Sequence, residues 1–192
     1  MFIENENKPV ILYEDFFDKK RTKNLLKYLK EKLIWKQDIY KFGGKEVKSP
    51  RLTSFLGETK YTYSGQTKKS IPFTKSIQYL ANEIEKYLNI ESGHFNGCLL
   101  NHYRDGNDSI SYHTDNEKDM IEDGIIAVLS IGSERKFYIK NNKTKKVIKY
   151  SLPNCSLTIM NPICQKDWKH SIPKEKKIEE ERISLTFRKF NK

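Results

Sequence analysis

From Phe95 onward the chain is a succession of short apolar or β-branched runs, at 95–103, 110–115, 125–131, 136–140, 147–152, 156–160 and 182–190, cut by Gly, Asn and Pro. No helical pattern alternates with them, which points to a sandwich or jelly roll rather than a parallel sheet. Upstream the periodicity is helical. Leu25, Leu26, Leu29 and Leu33 predict an amphipathic helix over about 18 to 33, which Asp18 can cap. Ile77, Leu80, Ala81, Ile84, Tyr87 and Leu88 predict a second from Thr74 to Asn89, with Gly93 after it as the stop. Residues 36–73 between them are rich in Tyr, Phe, Gly and Lys and read as hairpins and loops over one mouth of the barrel, a binding lid. The fold class is therefore α+β. With 192 residues, no internal repeat and no Gly/Ser/Pro-rich linker, the chain reads as one domain with its β core over 95–190.

The formal net charge is +11, the balance of a protein that meets a polyanion, although 30 Lys against 6 Arg is also what an AT-rich genome produces. The same scarcity makes each patterned arginine informative. No apolar run approaches the ~20 residues that cross a bilayer, so no membrane partner is expected. The opening MFIENENKPV lacks the basic and apolar segments of a secretory signal, and an intracellular location is expected, nuclear in a eukaryote and otherwise cytoplasmic. Cys98, Cys155 and Cys164 form no CxxC pair, which argues against a disulfide framework or a zinc ribbon; they read as buried, inert thiols.

His113-Thr114-Asp115 follows a strand-like Ile110-Ser111-Tyr112, so the imidazole and the carboxylate project from one face. Alone, this pattern equally describes a surface His near an Asp. A distant His170, in a chain with only four histidines, completes two imidazoles and one carboxylate, the set that leaves one face of a non-haem Fe(II) open. The run Arg182-Ile183-Ser184-Leu185-Thr186-Phe187-Arg188 alternates without exception, with Arg, Ser, Thr and Arg on one face. Either this is an edge strand with a solvated polar face, or two arginines enter a cavity, which is costly unless anions occupy it. Their backbones lie roughly 20 Å apart, and leaning together they suit the two ends of a small dicarboxylate.

These segments, with Asn101-His102-Tyr103-Arg104-Asp105-Gly106, Asn116-Glu117 and Trp168-Lys169-His170-Ser171, resemble the AlkB family of Fe(II)/2-oxoglutarate-dependent dioxygenases. The resemblance runs from about Pro50-Arg51 through Phe190 and is greatest to the eukaryotic repair dealkylases that act on duplex DNA. It implies a double-stranded β-helix (jelly-roll) core with N-terminal helices and a nucleotide-recognition lid. By the same resemblance His113, Asp115 and His170 are the ligands of Fe(II), and Asn101, Tyr103, Arg182, Ser184, Thr186 and Arg188 bind 2-oxoglutarate, with Ser184 standing where the family often has Asn. Tyr61, Tyr63, His113 and Glu117 match the family's pocket for a flipped, cationic methylated base, where aromatic faces and an acid favour the positive charge.

Arg51 joins this substrate set, and Phe42, before Gly43-Gly44, matches an apolar finger that fills the stack left by a flipped nucleotide. The implied activity is dioxygen-dependent removal of methyl groups from N1-methyladenine and N3-methylcytosine in DNA, with release of formaldehyde and succinate, by a monomer. RNA demethylation, protein hydroxylation by the same chemistry and a non-catalytic nucleic-acid-binding module are the alternatives.

Overall fold

The computed structural model describes residues 8–191 apart from 58–60, 64–65 and 69–70, and for 41, 42, 61–63 and 66–68 it describes the backbone alone. In chain order the elements are β1 (Val10–Tyr13), α1 (Lys19–Lys32), β2 (Ile39–Phe42), β3 (Lys45–Lys48), β4 (Leu52–Gly57), β5 (Tyr61–Tyr63), β6 (Gln66–Lys68) and α2 (Lys75–Leu88). They continue with β7 (Gly97–Tyr103), β8 (Ile110–His113), β9 (Ile126–Gly132), β10 (Arg135–Asn141), β11 (Val147–Leu152), β12 (Leu157–Met160), α3 (Pro162–Asp167), β13 (Trp168–Ile172) and β14 (Arg182–Arg188).

Two sheets face each other. The larger has the order β1-β12-β9-β14-β7-β4 and the smaller β11-β10-β13-β8, with every described pairing antiparallel. On the outer face of the larger sheet, Leu100, Leu129, Ile183, Leu185 and Phe187 pack under Leu29 of α1 and under Ile77, Leu80, Ala81 and Ile84 of α2. Between the sheets, Tyr103, Ile126 and Met160 meet Phe137, Ile139, Leu152 and Ile172. The predicted helices stand where the periodicity put them. Asp18 caps α1 by accepting from the Lys20 amide, and Thr74 caps α2 by accepting from Ile77. No helix among the described residues is long and apolar enough to cross a membrane.

Four differences from the sequence reading have physical causes. The stop of α2 is Asn89, in the left-handed region with φ 51°, and Gly93 shapes the turn beyond it. The lid range 36–73 is interrupted, because Leu52–Gly57 is buried strand β4, paired with β7 throughout. Its Thr53 and Ser54 are polar yet buried, Thr53 donating to Asp38 Oδ2 at 2.9 Å, which hid a core strand in a polar stretch. The β half also contains the short helix α3, and strand β13, absent from the predicted runs, carries His170.

The hairpin β2–β3 turns through Gly43 and Gly44, both at positive φ, the two-residue turn whose twist suits a hairpin and which glycine adopts without strain. Gly106, in the loop after β7, lies so close to the carbonyl of Glu175 that a Cβ there would collide with it.

Buried Glu85 ties α2 to the entrance of β7, since its two carboxylate oxygens accept from the Gly93 and Phe95 amides at 2.9 and 2.8 Å. Removing the acceptor strands two amides at ~1–3 kcal/mol each. Glu85→Ala should therefore lower the unfolding free energy by about 2–6 kcal/mol in urea titration, and Glu85→Gln, which keeps one acceptor, by about half as much.

Candidate active site

Strand β14 is hydrogen-bonded on both sides, to β7 and to β9, and all seven of its residues are buried, so it is not an edge. Ile183, Leu185 and Phe187 face the helices. Arg182, Ser184, Thr186 and Arg188 line a cavity between the sheets. The guanidiniums of Arg182 and Arg188 thus sit in the interior at 1% and 2% exposure, and each needs compensation.

Arg188 is compensated by carboxylates. Its Nη2 lies 2.8 Å from Asp115 Oδ2 and its Nη1 donates to Glu117 Oε1 at 3.2 Å. Arg182 is compensated differently: Nη2 donates to Ser130 Oγ at 2.9 Å, and the guanidinium lies 5.4 Å from the centroid of the Tyr103 ring, which Arg135 approaches at 5.5 Å. Burial pulls the Arg182 guanidinium down to about 10, and its Nε and Nη1 have no hydrogen-bond partner among the described residues. A buried cation with two undirected donors facing a cavity fits an anionic group of a small ligand.

Opposite these arginines, β8 and β13 pair so that His113 and His170 are directly across from each other, with ring centroids 4.2 Å apart. Asp115, just past β8, reaches between them: Oδ1 is 3.5 Å from His113 Nε2 and Oδ2 is 3.8 Å from His170 Nε2. One ligand atom from each of the three lies within 4.8 Å of the others, a spacing that one metal ion can span. His113 Nδ1 is 2.9 Å from the Ser111 carbonyl, which can only accept, so this nitrogen carries a proton and Nε2 is the atom turned toward the cluster.

Burial and the neighbouring His113 push the His170 imidazole down to about 3, leaving it neutral and able to ligate. Burial alone would raise Asp115. The Arg188 guanidinium and the two imidazoles outweigh it and hold the carboxyl well below the usual carboxylate range. Two imidazoles and one carboxylate, with no cysteine among them, fit Fe(II) with open positions rather than structural zinc.

A second layer holds these groups in place. Arg51, predicted as a substrate contact, is buried in the cavity wall, where Nε donates to Asn101 Oδ1 at 2.8 Å. The Asp115 amide donates to Gln165 Oε1 of α3 at 2.8 Å, anchoring the turn that carries the Asp115 carboxylate. Arg135 donates to the Asp105, Asp108 and Pro173 carbonyls and pairs with Glu175, clamping the loops after β7 and β13 beneath Tyr103. Gln165 and Arg135 were missed from sequence. Arg135 left a trace as an arginine on the inward face of an alternating strand, whereas nothing local marked Gln165.

The structure brings together Asn101, Tyr103, His113, Asp115, His170, Arg182, Ser184, Thr186, Arg188 and Arg51 around one cavity. It places Glu117 on Arg188 and in the groove beside Asp115 and Asn116. The backbones of Tyr61 and Tyr63 lie in β5 and that of Phe42 at the hairpin tip, while their side chains fall outside the described residues. Cys98, Cys155 and Cys164 are free and buried, and burial pushes the Cys164 thiol up to about 12, in keeping with inert thiols.

Residues 9–188 match the family model described as the 2OG-Fe(II) oxygenase superfamily. The chain is 35% identical over 190 residues to human alpha-ketoglutarate-dependent dioxygenase alkB homolog 3, covering 93% of this chain and 65% of that protein. It is 31% identical over 156 residues to mouse DNA oxidative demethylase ALKBH2, covering 76% of this chain and 64% of that one. The chain thus spans just under two thirds of the length of these curated relatives. Its fold matches the solved structure of OsALKBH1 with a TM-score of 0.69 at 14% identity, over 98% of this chain and 100% of that one. The chain belongs to the 2OG-Fe(II) oxygenase superfamily, and these curated relatives are AlkB homologs.

Proposed function

We propose that the protein is an oxidative demethylase of DNA that acts on N1-methyladenine and N3-methylcytosine. The observation that carries this reading is the buried cluster of His113, Asp115 and His170, set across one cavity from the unsatisfied guanidinium edge of Arg182. The names of its relatives, alpha-ketoglutarate-dependent dioxygenases and DNA oxidative demethylases, support the same chemistry.

His113, Asp115 and His170 would hold Fe(II) through one atom each, the first imidazole oriented by Ser111. Arg182 would grip one carboxylate of 2-oxoglutarate, while Arg188, beside Asp115, lies near enough to the metal ligands to steady the other. Asn101, held by Arg51, and the Tyr103, Ser184 and Thr186 side chains complete the polar wall. Val128, Phe137, Leu152, Met160 and Ile172 close the rest of the cavity with apolar groups, which exclude water and strengthen every charge interaction inside. When bound, iron, 2-oxoglutarate and dioxygen supply the oxidation that turns an N-methyl into an N-hydroxymethyl group, lost as formaldehyde, with succinate and carbon dioxide as co-products. Tyr61, Tyr63 and Glu117 would receive the flipped base, and the β2–β3 hairpin with Phe42 would enter the stack it leaves.

Iron-dependent mass-spectrometric assay of methylated single- and double-stranded DNA and RNA tests the substrate. Loss of 14 mass units (one CH2) from methylated DNA is the expected result, and turnover confined to RNA or to protein would replace this reading. His113→Ala, Asp115→Ala and His170→Ala should each abolish turnover in a folded protein, as judged by circular dichroism, and an active His170→Ala would remove the metal assignment. Arg182→Lys keeps the charge but loses the planar fork, so the 2-oxoglutarate concentration for half-maximal rate should rise ~10-fold or more. An unchanged requirement would remove Arg182 from the cosubstrate site.

A further inference from the structure

The outward face of the smaller sheet has a composition that its role as a cavity wall does not require. Alternation along β10 buries Arg135, Phe137 and Ile139 and turns Lys136, Tyr138 and Lys140 outward. Register places Tyr138 between Lys149 on β11 and Ser171 on β13, and sets Lys140 opposite Lys169. Lys149 and Lys169 are exposed, and none of β8, β10, β11 and β13 contains an Asp or Glu. Lysine ammoniums sit over tyrosine rings at two points, Lys149 over Tyr138 at 5.4 Å and Lys140 over Tyr112 at 5.9 Å.

At one edge the face meets the site: exposed Tyr112 precedes the metal-cluster residue His113, and both line a groove that runs past Arg51 and Tyr40. We infer that this face is a binding track for the single-stranded DNA that flanks the nucleotide in the active site, with phosphates on Lys140, Lys149 and Lys169 and bases stacked on Tyr138 and Tyr112. The inference rests on the nucleic-acid reading above and adds to it a surface outside the catalytic cavity.

The physics favours this occupant. Four neighbouring strands span ~14 Å at the usual strand spacing, a width that accommodates a few nucleotides. An acid-free row of lysines interleaved with aromatic rings is the arrangement that binds a single strand without reading its sequence, because every base has a face to stack and every linkage a charge. Lys136 is left out of the track, since its Nζ lies 3.5 Å from the Glu175 carboxylate. Continuity with the groove at His113 gives the strand a direction, from the reacting base over Tyr112 and across the sheet toward Lys149.

The test is fluorescence anisotropy with unmodified oligo-dT of five and fifteen nucleotides over a range of salt, which reads binding without turnover. For the wild type the longer strand should bind at least ten times more tightly. K140Q/K149Q/K169Q should lose that gain and flatten the log–log salt slope by about 2, at ~0.7 per phosphate contact on a single strand. Tyr138→Ala should lose about fivefold or more on the longer strand alone. Both variants should demethylate a five-nucleotide methylated substrate at the wild-type rate. A wild type that gains nothing from length, or a triple variant that binds the fifteen-mer as the wild type does, would overturn the track. Failure of the wild type to demethylate the short substrate would instead refute the reaction proposed above, while the anisotropy still decides the surface.

Discussion

Two guanidiniums inside a central strand are the constraint on which the rest of this structure depends. A charge at the position of Arg188 is stable only if anions come to it, and Asp115 and Glu117 do so from the segment just after β8. That pairing fixes where the Asp115 carboxylate stands and keeps it ionised. On the proposed reading, the strand that would offer donors to a dicarboxylate thereby also orients the carboxylate that would ligate the metal, and the two sites would be coupled through one buried ion pair. Arg182, at the other end of the same face, is stabilised by the Tyr103 ring and the Ser130 hydroxyl, a weaker arrangement that leaves donors directed at the cavity.

Sheet register turns this into a site. His113 and His170 are far apart in sequence and become directly opposed neighbours because β8 and β13 pair antiparallel. Asn101 and Ser184 are cross-strand partners in the same way, and Thr53 stands beyond Asn101 on β4. Placement of this kind on strands, backed by Arg51, Gln165 and Arg135, holds the groups more rigidly than loops would.

Much of this was legible in the sequence, and the physical reason is periodicity. The alternation of Arg182 through Arg188 separates a core face from a polar face, and its burial on both sides decides between the edge-strand and cavity readings in favour of the cavity. The leucine spacing of α1 and the Asp18 cap, likewise local, stand as predicted. Strand β13 was not legible as a strand, because Trp168–Ile172 is short and follows directly on α3, so His170 was reached only by its rarity and by family resemblance. Strand β4 was hidden because its buried Thr53 is satisfied by Asp38, a partner that no local pattern reveals. The same holds for Glu85 and Gln165, whose hydrogen bonds depend on the finished fold.

The measurement that tests the central claim most directly is a crystal structure of the protein grown without dioxygen in the presence of Mn(II) and 2-oxoglutarate. The account predicts one metal ion bound by His113, Asp115 and His170, and 2-oxoglutarate in the same cavity with a carboxylate on the Nε and Nη1 edge of Arg182. A metal ion held by other residues, or 2-oxoglutarate bound away from β14, would contradict it.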